Sequence, residues 1–189
     1  VTRRILTCTT AAPPHHRTTA PPHHASMKTL LIVYHTMTGG TRQMAEAAAA
    51  AARTQEGVAV VLKRAAEAGP DDVLAADGYL FATPENLAAI AGMMKDFFDR
   101  CYYPALDRIN GRPYATMICA GSDGQNALRQ VERIATGWRL NPVAPGLIVC
   151  THAQTPERIL APKQIEADDL ARCAALGEGL AAGLALGVF

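Results

Sequence analysis

Five short apolar runs alternate with segments of helical character along this chain, and that alternation restricts it to a parallel sheet with helices on both faces. The runs lie at residues 30–34, 57–63, 78–83, 114–120 and 145–150. Between them the sequence predicts helices over 41–54, over a short segment ending near Ala76, over 87–102 and over 126–136, with a last one over 165–186. Gly57 reads as a helix stop, Pro84 as the break after the third run, and Asn110-Gly111 as a turn. In the segment 87–102, Met93, Met94, Phe97 and Phe98 recur at helical spacing and belong to the core. A proline-containing connection over 151–162 precedes the final helix.

The first run leads into Thr36-Met37-Thr38-Gly39-Gly40-Thr41 and then an alanine-rich helix, which is the build of a phosphate site. Thr36, Thr38 and Thr41 supply hydroxyl donors, Gly39 and Gly40 let bare amides turn toward one centre, and the helix N-terminus adds its positive dipole end. A Walker loop would end in Gly-Lys-Ser/Thr, where this chain has Gly-Gly-Thr-Arg, and the G-x-G-x-x-G dinucleotide spacing is absent. A terminal phosphate monoester fits best, each charge-assisted hydrogen bond contributing roughly 1.5–3 kcal/mol. The plainer alternative is a strand–turn–helix junction whose threonines cap the helix.

At 189 residues the chain suits one domain, and its 49% hydrophobic content is inflated by alanines such as those in 45–52. No apolar run reaches the roughly 18 residues of a membrane span, so a soluble, cytoplasmic protein is expected. Residues 1–27 stand apart. Two Pro-Pro-His-His segments sit among threonines with no acidic residue and no apolar periodicity, the composition of a disordered extension preceding a domain at 28–189. Val1 would suit an alternative start codon, with Met27 the start of the domain proper. A metal-binding histidine cluster and an organelle presequence carrying Arg3, Arg4 and Arg17 are the competing readings of this stretch. Residues 28–189 hold 15 basic and 17 acidic residues, a formal −2. Such near neutrality argues against nucleic acid, which wants a basic face, and against an electron carrier that steers by a strongly acidic surface. Cys8, Cys101, Cys119, Cys150 and Cys173 show no C-x-x-C and no metal spacing, and read as reduced thiols.

The loop at 36–41 matches position for position the Ser/Thr-x-Thr-Gly-x-Thr phosphate loop of the flavodoxin-like superfamily, and the chain resembles that superfamily over essentially all of 28–189. Thr83-Pro84-Glu85-Asn86, followed by Met94-Lys95-Asp96-Phe97-Phe98-Asp99-Arg100, is similar to its NAD(P)H-dependent FMN reductase and quinone reductase branch. The resemblance implies a three-layer, doubly wound α/β fold with a five-stranded parallel sheet in the order 2-1-3-4-5. A ligand then sits at the switch point between strands one and three, where the loops after strands one, three and four converge. It also implies FMN held by Thr36, Met37, Thr38, Gly39, Gly40 and Thr41, its ring lined by Pro84, Glu85, Asn86 and Leu87 and bordered on its other side by Gly121, Ser122 and Asp123. Asp123 has a second reading as a helix cap. Relatives often carry an aromatic where Leu87 stands. Tyr102, Tyr103, Trp138 or an aromatic from a second subunit are the candidates to replace it.

The function so implied is an FMN-dependent oxidoreductase taking hydride from NADH or NADPH and passing electrons to a quinone or similar small acceptor, with no side chain assigned as acid or base, no metal, and no nucleic-acid or membrane partner. A homodimer or homotetramer is expected from the same likeness. The alternatives are a flavodoxin-type electron carrier and a non-catalytic phosphate-ligand binding module.

Overall fold

The structure, a computed structural model, describes residues 27–189, so the expectations for the N-terminal extension, Met27 apart, lie outside the described residues. The elements run β1 (Lys28–Tyr34), α1 (Gly40–Ala52), β2 (Val58–Arg64), α2 (Pro70–Ala75), β3 (Gly78–Asn86), β4 (Ala89–Ile90), α3 (Gly92–Ala105), β5 (Pro113–Ala120), α4 (Gln125–Gly137), β6 (Asn141–Pro142), β7 (Leu147–Cys150), α5 (Pro156–Leu160) and α6 (Ala167–Leu186). The sheet order is β2-β1-β3-β5-β6, with β7 also paired to β5, so the flavodoxin-like order holds and its last place is divided between two short strands. Pro142 and Pro145 bracket the division, where residues without an N–H cannot continue a ladder.

Alternation along the strands sorts the core into two layers. Leu31, Val33, Tyr79, Phe81, Tyr114 and Ile118 face α2, α3 and α4, whereas Leu30, Ile32, Leu80, Ala115 and Met117 face α1 and α6. The first layer is aromatic: Phe81 meets Phe98 edge-on with ring centroids 5.0 Å apart, and Trp138 meets Phe98 at 5.3 Å. The second is built from small residues, Ala45, Ala48, Ala49 and Ala52 of α1 packing beside Cys173, Leu180 and Ala181 of α6.

The chain after β3 departs from the sequence expectation. Pro84 does not break the strand, which runs on through Asn86 and folds back as an antiparallel hairpin pairing Glu85 with Ile90 and Asn86 with Ala89. The Ala82 carbonyl accepts the His35 N–H at 3.0 Å on the β1 edge, and Pro84, two residues on, turns the same way past the end of β1. No ladder bond is lost there, which is why proline is tolerated. Residues 87–90 are therefore hairpin, and α3 begins only at Gly92.

Candidate functional site

The carboxyl ends of β1, β3, β5 and β7 open onto one cleft of about 510 Å³, a volume suited to a small-molecule or cofactor ligand. From β1 come Thr36, Met37, Thr38, Gly40 and Thr41. Gly39, the N-cap of α1 at φ +90°, stands behind this wall, donating its N–H to Thr36 Oγ1 at 3.0 Å. That contact uses Thr36 as acceptor and leaves its O–H to donate elsewhere. Thr41 Oγ1 is buried with no nitrogen or oxygen partner, its polar neighbour being the Cys119 thiol, although it belongs to a residue of the cleft wall at the positive end of a helix. At Gly40 a Cβ would meet Cys119 Sγ at 2.8 Å and the Lys163 Cβ at 3.3 Å, so glycine is what lets the loop lie this close to β5.

The second wall is the hairpin, carrying Pro84, Glu85, Asn86 and Leu87. Its two-residue turn places Leu87 at φ 50° and Ala88 at φ 58°, left-handed positions that side chains rarely adopt and that cost on the order of 1–3 kcal/mol each. Helix α4 holds it in place. Glu85 Oε2 accepts the Gly124 N–H at 2.9 Å, Asn126 Nδ2 donates to the Ala88 carbonyl, and Gln130 Oε1 accepts the Ile90 N–H at 3.0 Å. Gly124 is the N-cap of α4 at φ +80°, and a Cβ there would meet Ile148 Cγ2 at 2.7 Å. The carboxylate at this helix start is therefore Glu85 from the sheet, and Asp123 does not cap α4. Glu85 Oε1 is buried without a partner.

Gly121 lines the cleft on its third side with Cys119 and Ala120, while Ser122 and Asp123 stand outside the wall, exposed to solvent. Burial pushes the Cys119 thiol above its ordinary value, which keeps it neutral. A fourth wall comes from the segment after β7, through Thr151, Ala153, Ile159, Leu160 and Lys163. The sequence offers one clue to it: the rule that ligands gather at the carboxyl ends of strands applies to the last strand as well as to the other three. Thr155-Pro156 is also a helix-start signal, and Thr155 Oγ1 accepts the Arg158 N–H at 3.4 Å. Lys163 fastens this wall to the loop, its N–H donating to the Thr38 carbonyl at 2.8 Å. Its ammonium is turned onto the carbonyls of Arg158, Ile159 and Ala161 at 2.7–2.8 Å, closing the end of α5.

The three aromatics considered as ring cover all lie elsewhere. Trp138 is buried in the aromatic layer, and Tyr102 and Tyr103 pack on each other in the last turns of α3, at the end of the crossover that leads to the start of β5. Among the described residues no group of three or more His, Cys, Asp or Glu could hold a metal ion, and no helix is long and apolar enough to cross a membrane.

A doubly wound α/β protein with a threonine- and glycine-rich loop and a cleft at its switch point is the class that this fold defines. The family model described as NADPH-dependent FMN reductase matches residues 62–155. Over 72 residues the chain is 38% identical to a flavodoxin of Aquifex aeolicus, a stretch that covers 38% of this chain and 39% of that relative. Solved structures similar to it include a flavodoxin from the domain Archaea, at a TM-score of 0.67 and 17% identity over 82% of this chain and 98% of that one. Another is a flavodoxin, WrbA-like protein from Agrobacterium tumefaciens, at 0.60 and 20% over 85% and 98%. The chain thus has the flavodoxin-like fold, and its residues 62–155 are similar to the NADPH-dependent FMN reductases.

Proposed function

We propose that this protein is an FMN-dependent oxidoreductase that takes hydride from NADH or NADPH and delivers electrons to a quinone or similar small acceptor. The carrying observation is the Thr41 hydroxyl, buried without a nitrogen or oxygen partner on the wall of a cleft at a helix N-terminus. A hydroxyl in that position is completed by an anionic oxygen, and a phosphate monoester supplies one. Thr36, Thr38 and the amides of Gly39 and Gly40 complete the donor set, so the residues present fit the phosphate of FMN. At the hairpin, the unpartnered Glu85 Oε1 fits an N–H on the polar edge of a flavin ring. When bound, the flavin supplies the hydride-accepting and electron-donating chemistry.

The chain's own contribution is to bind and expose the ring. The threonine loop fixes the phosphate, Glu85 orients the polar edge, and the apolar parts of the hairpin and α5 keep water from part of the site. No residue acts as acid or base. Oligomerisation to a homodimer or homotetramer belongs to the same proposal, as does a cytoplasmic location. The match to a flavodoxin over 72 residues favours a second reading, an FMN-binding electron carrier that does not react with nicotinamide. Anaerobic stopped-flow of FMN-loaded protein with NADPH and then NADH separates the two. Rapid flavin bleaching followed by reoxidation with a quinone is the expected result, and a flavin that stays oxidised with both nucleotides overturns the reductase reading.

A further inference from the structure

Four of the eleven large hydrophobic side chains that the described residues expose surround the cleft: Met37 at 71%, Leu87 fully, Ile159 at 51% and Leu160 at 77%. Leu186, Val188 and Phe189 form another exposed group at the C-terminal end of α6, but the four here come from three separate segments and meet around an opening of about 510 Å³, which marks a ligand contact. None of the cleft's lining residues is Phe, Tyr or Trp, and residues 1–26 contain none of these either. Leu87 also occupies a left-handed turn where Asn or Gly is the favoured residue, held there by hydrogen bonds from α4 to both sides of the turn. A leucine kept in a strained position, clamped from behind and wholly exposed, is preorganised to cover something flat.

We propose that the flavin ring is covered by aliphatic side chains, Leu87 of the hairpin and Leu160 of α5, with no aromatic stacked on it; the proposal rests on the FMN reading above. The physical consequence is optical. A tryptophan or tyrosine in contact with an excited flavin ring quenches it by giving up an electron, whereas a leucine has no electron to offer at that energy. Cys119, the sulfur on the cleft floor, is held as a neutral thiol and is a poor donor. FMN bound in this cleft therefore stays fluorescent.

The test mixes the full-length apoprotein with FMN, measures retention by ultrafiltration, and reads the emission of the retained flavin in the wild type, Leu87→Trp and Leu160→Trp. Both positions are exposed, so each tryptophan is accommodated without disturbing the core. The expected result is a retained, bright flavin in the wild type and emission reduced severalfold in each variant. Retained flavin as dark in the wild type as in the variants overturns the aliphatic cover and points to an aromatic from a second copy. Retained flavin that stays bright in either variant overturns the assignment of that wall. No retention by the wild type overturns the FMN reading itself, and the cover with it.

Discussion

Gln43 grips the segment around Lys163 from the first turn of α1: its Nε2 donates to the Lys163 carbonyl at 2.7 Å, and its Oε1 accepts the Ile165 N–H at 3.2 Å. The same Nε2 reaches the Gly39 carbonyl at 3.2 Å, so one amide ties the threonine loop to the wall formed by α5. Gln43→Ala leaves a carbonyl and an N–H without partners in a part-buried place, a loss of about 1–3 kcal/mol. Urea unfolding is expected to show that loss, and limited proteolysis should show new cleavage between residues 153 and 166. Unchanged protease resistance would mean that the wall is held by other contacts.

Thr41→Val separates binding from folding. Valine has threonine's shape without its hydroxyl, and that hydroxyl has no nitrogen or oxygen partner in the protein, only the weakly bonding Cys119 thiol beside it, so the unliganded variant should be about as stable as wild type. FMN affinity should fall by roughly 10- to 150-fold, the worth of one charge-assisted hydrogen bond of about 1.5–3 kcal/mol. Fluorescence-independent titration by calorimetry, beside a thermal melt, reads both. An unchanged affinity would remove Thr41 from the site.

Thr116→Val addresses the other orphaned hydroxyl. Thr116 lies on β5 between Tyr114 and Ile118, on the aromatic face of the sheet, and its Oγ1 is buried with no partner. Replacing it with an isosteric apolar group removes a desolvated hydroxyl and should raise stability by about 1 kcal/mol. The position is remote from the threonine loop, so FMN affinity should not move. A destabilised variant in urea unfolding would show that the hydroxyl is paired after all.

The sheet order was legible because strand and helix periods alternate without ambiguity, and because the crossover rule leaves few ways to arrange them. That the threonine loop opens onto the cleft was legible because its residues are six consecutive ones at the carboxyl end of the first strand. The hairpin was not, since Leu87-Ala88 carries no turn signal and its geometry is set by Asn126 and Gln130, some 40 residues away. Glu85 was placed near the site by resemblance, but its hold on Gly124 is a tertiary contact that no local pattern announces. Trp138 and Lys163 illustrate the same limit: residue type alone cannot say that the indole joins the core or that the ammonium closes a helix end.

Acid sensitivity should trace in part to His35, which precedes the threonine loop. Burial holds its imidazole below the ordinary value of 6.5, and the positive charge of Arg64 lowers it further. Below that ordinary value the unfolded chain takes up a proton that the folded chain resists, so the unfolded state binds more protons and stability rises with pH. The contribution is complete above about pH 6.5 and is lost as pH falls toward and through the folded value. His35→Gln removes it. Urea midpoints compared at about pH 7.5 and about pH 5 should fall less in the variant than in wild type. Equal falls would show that the imidazole titrates alike in both states.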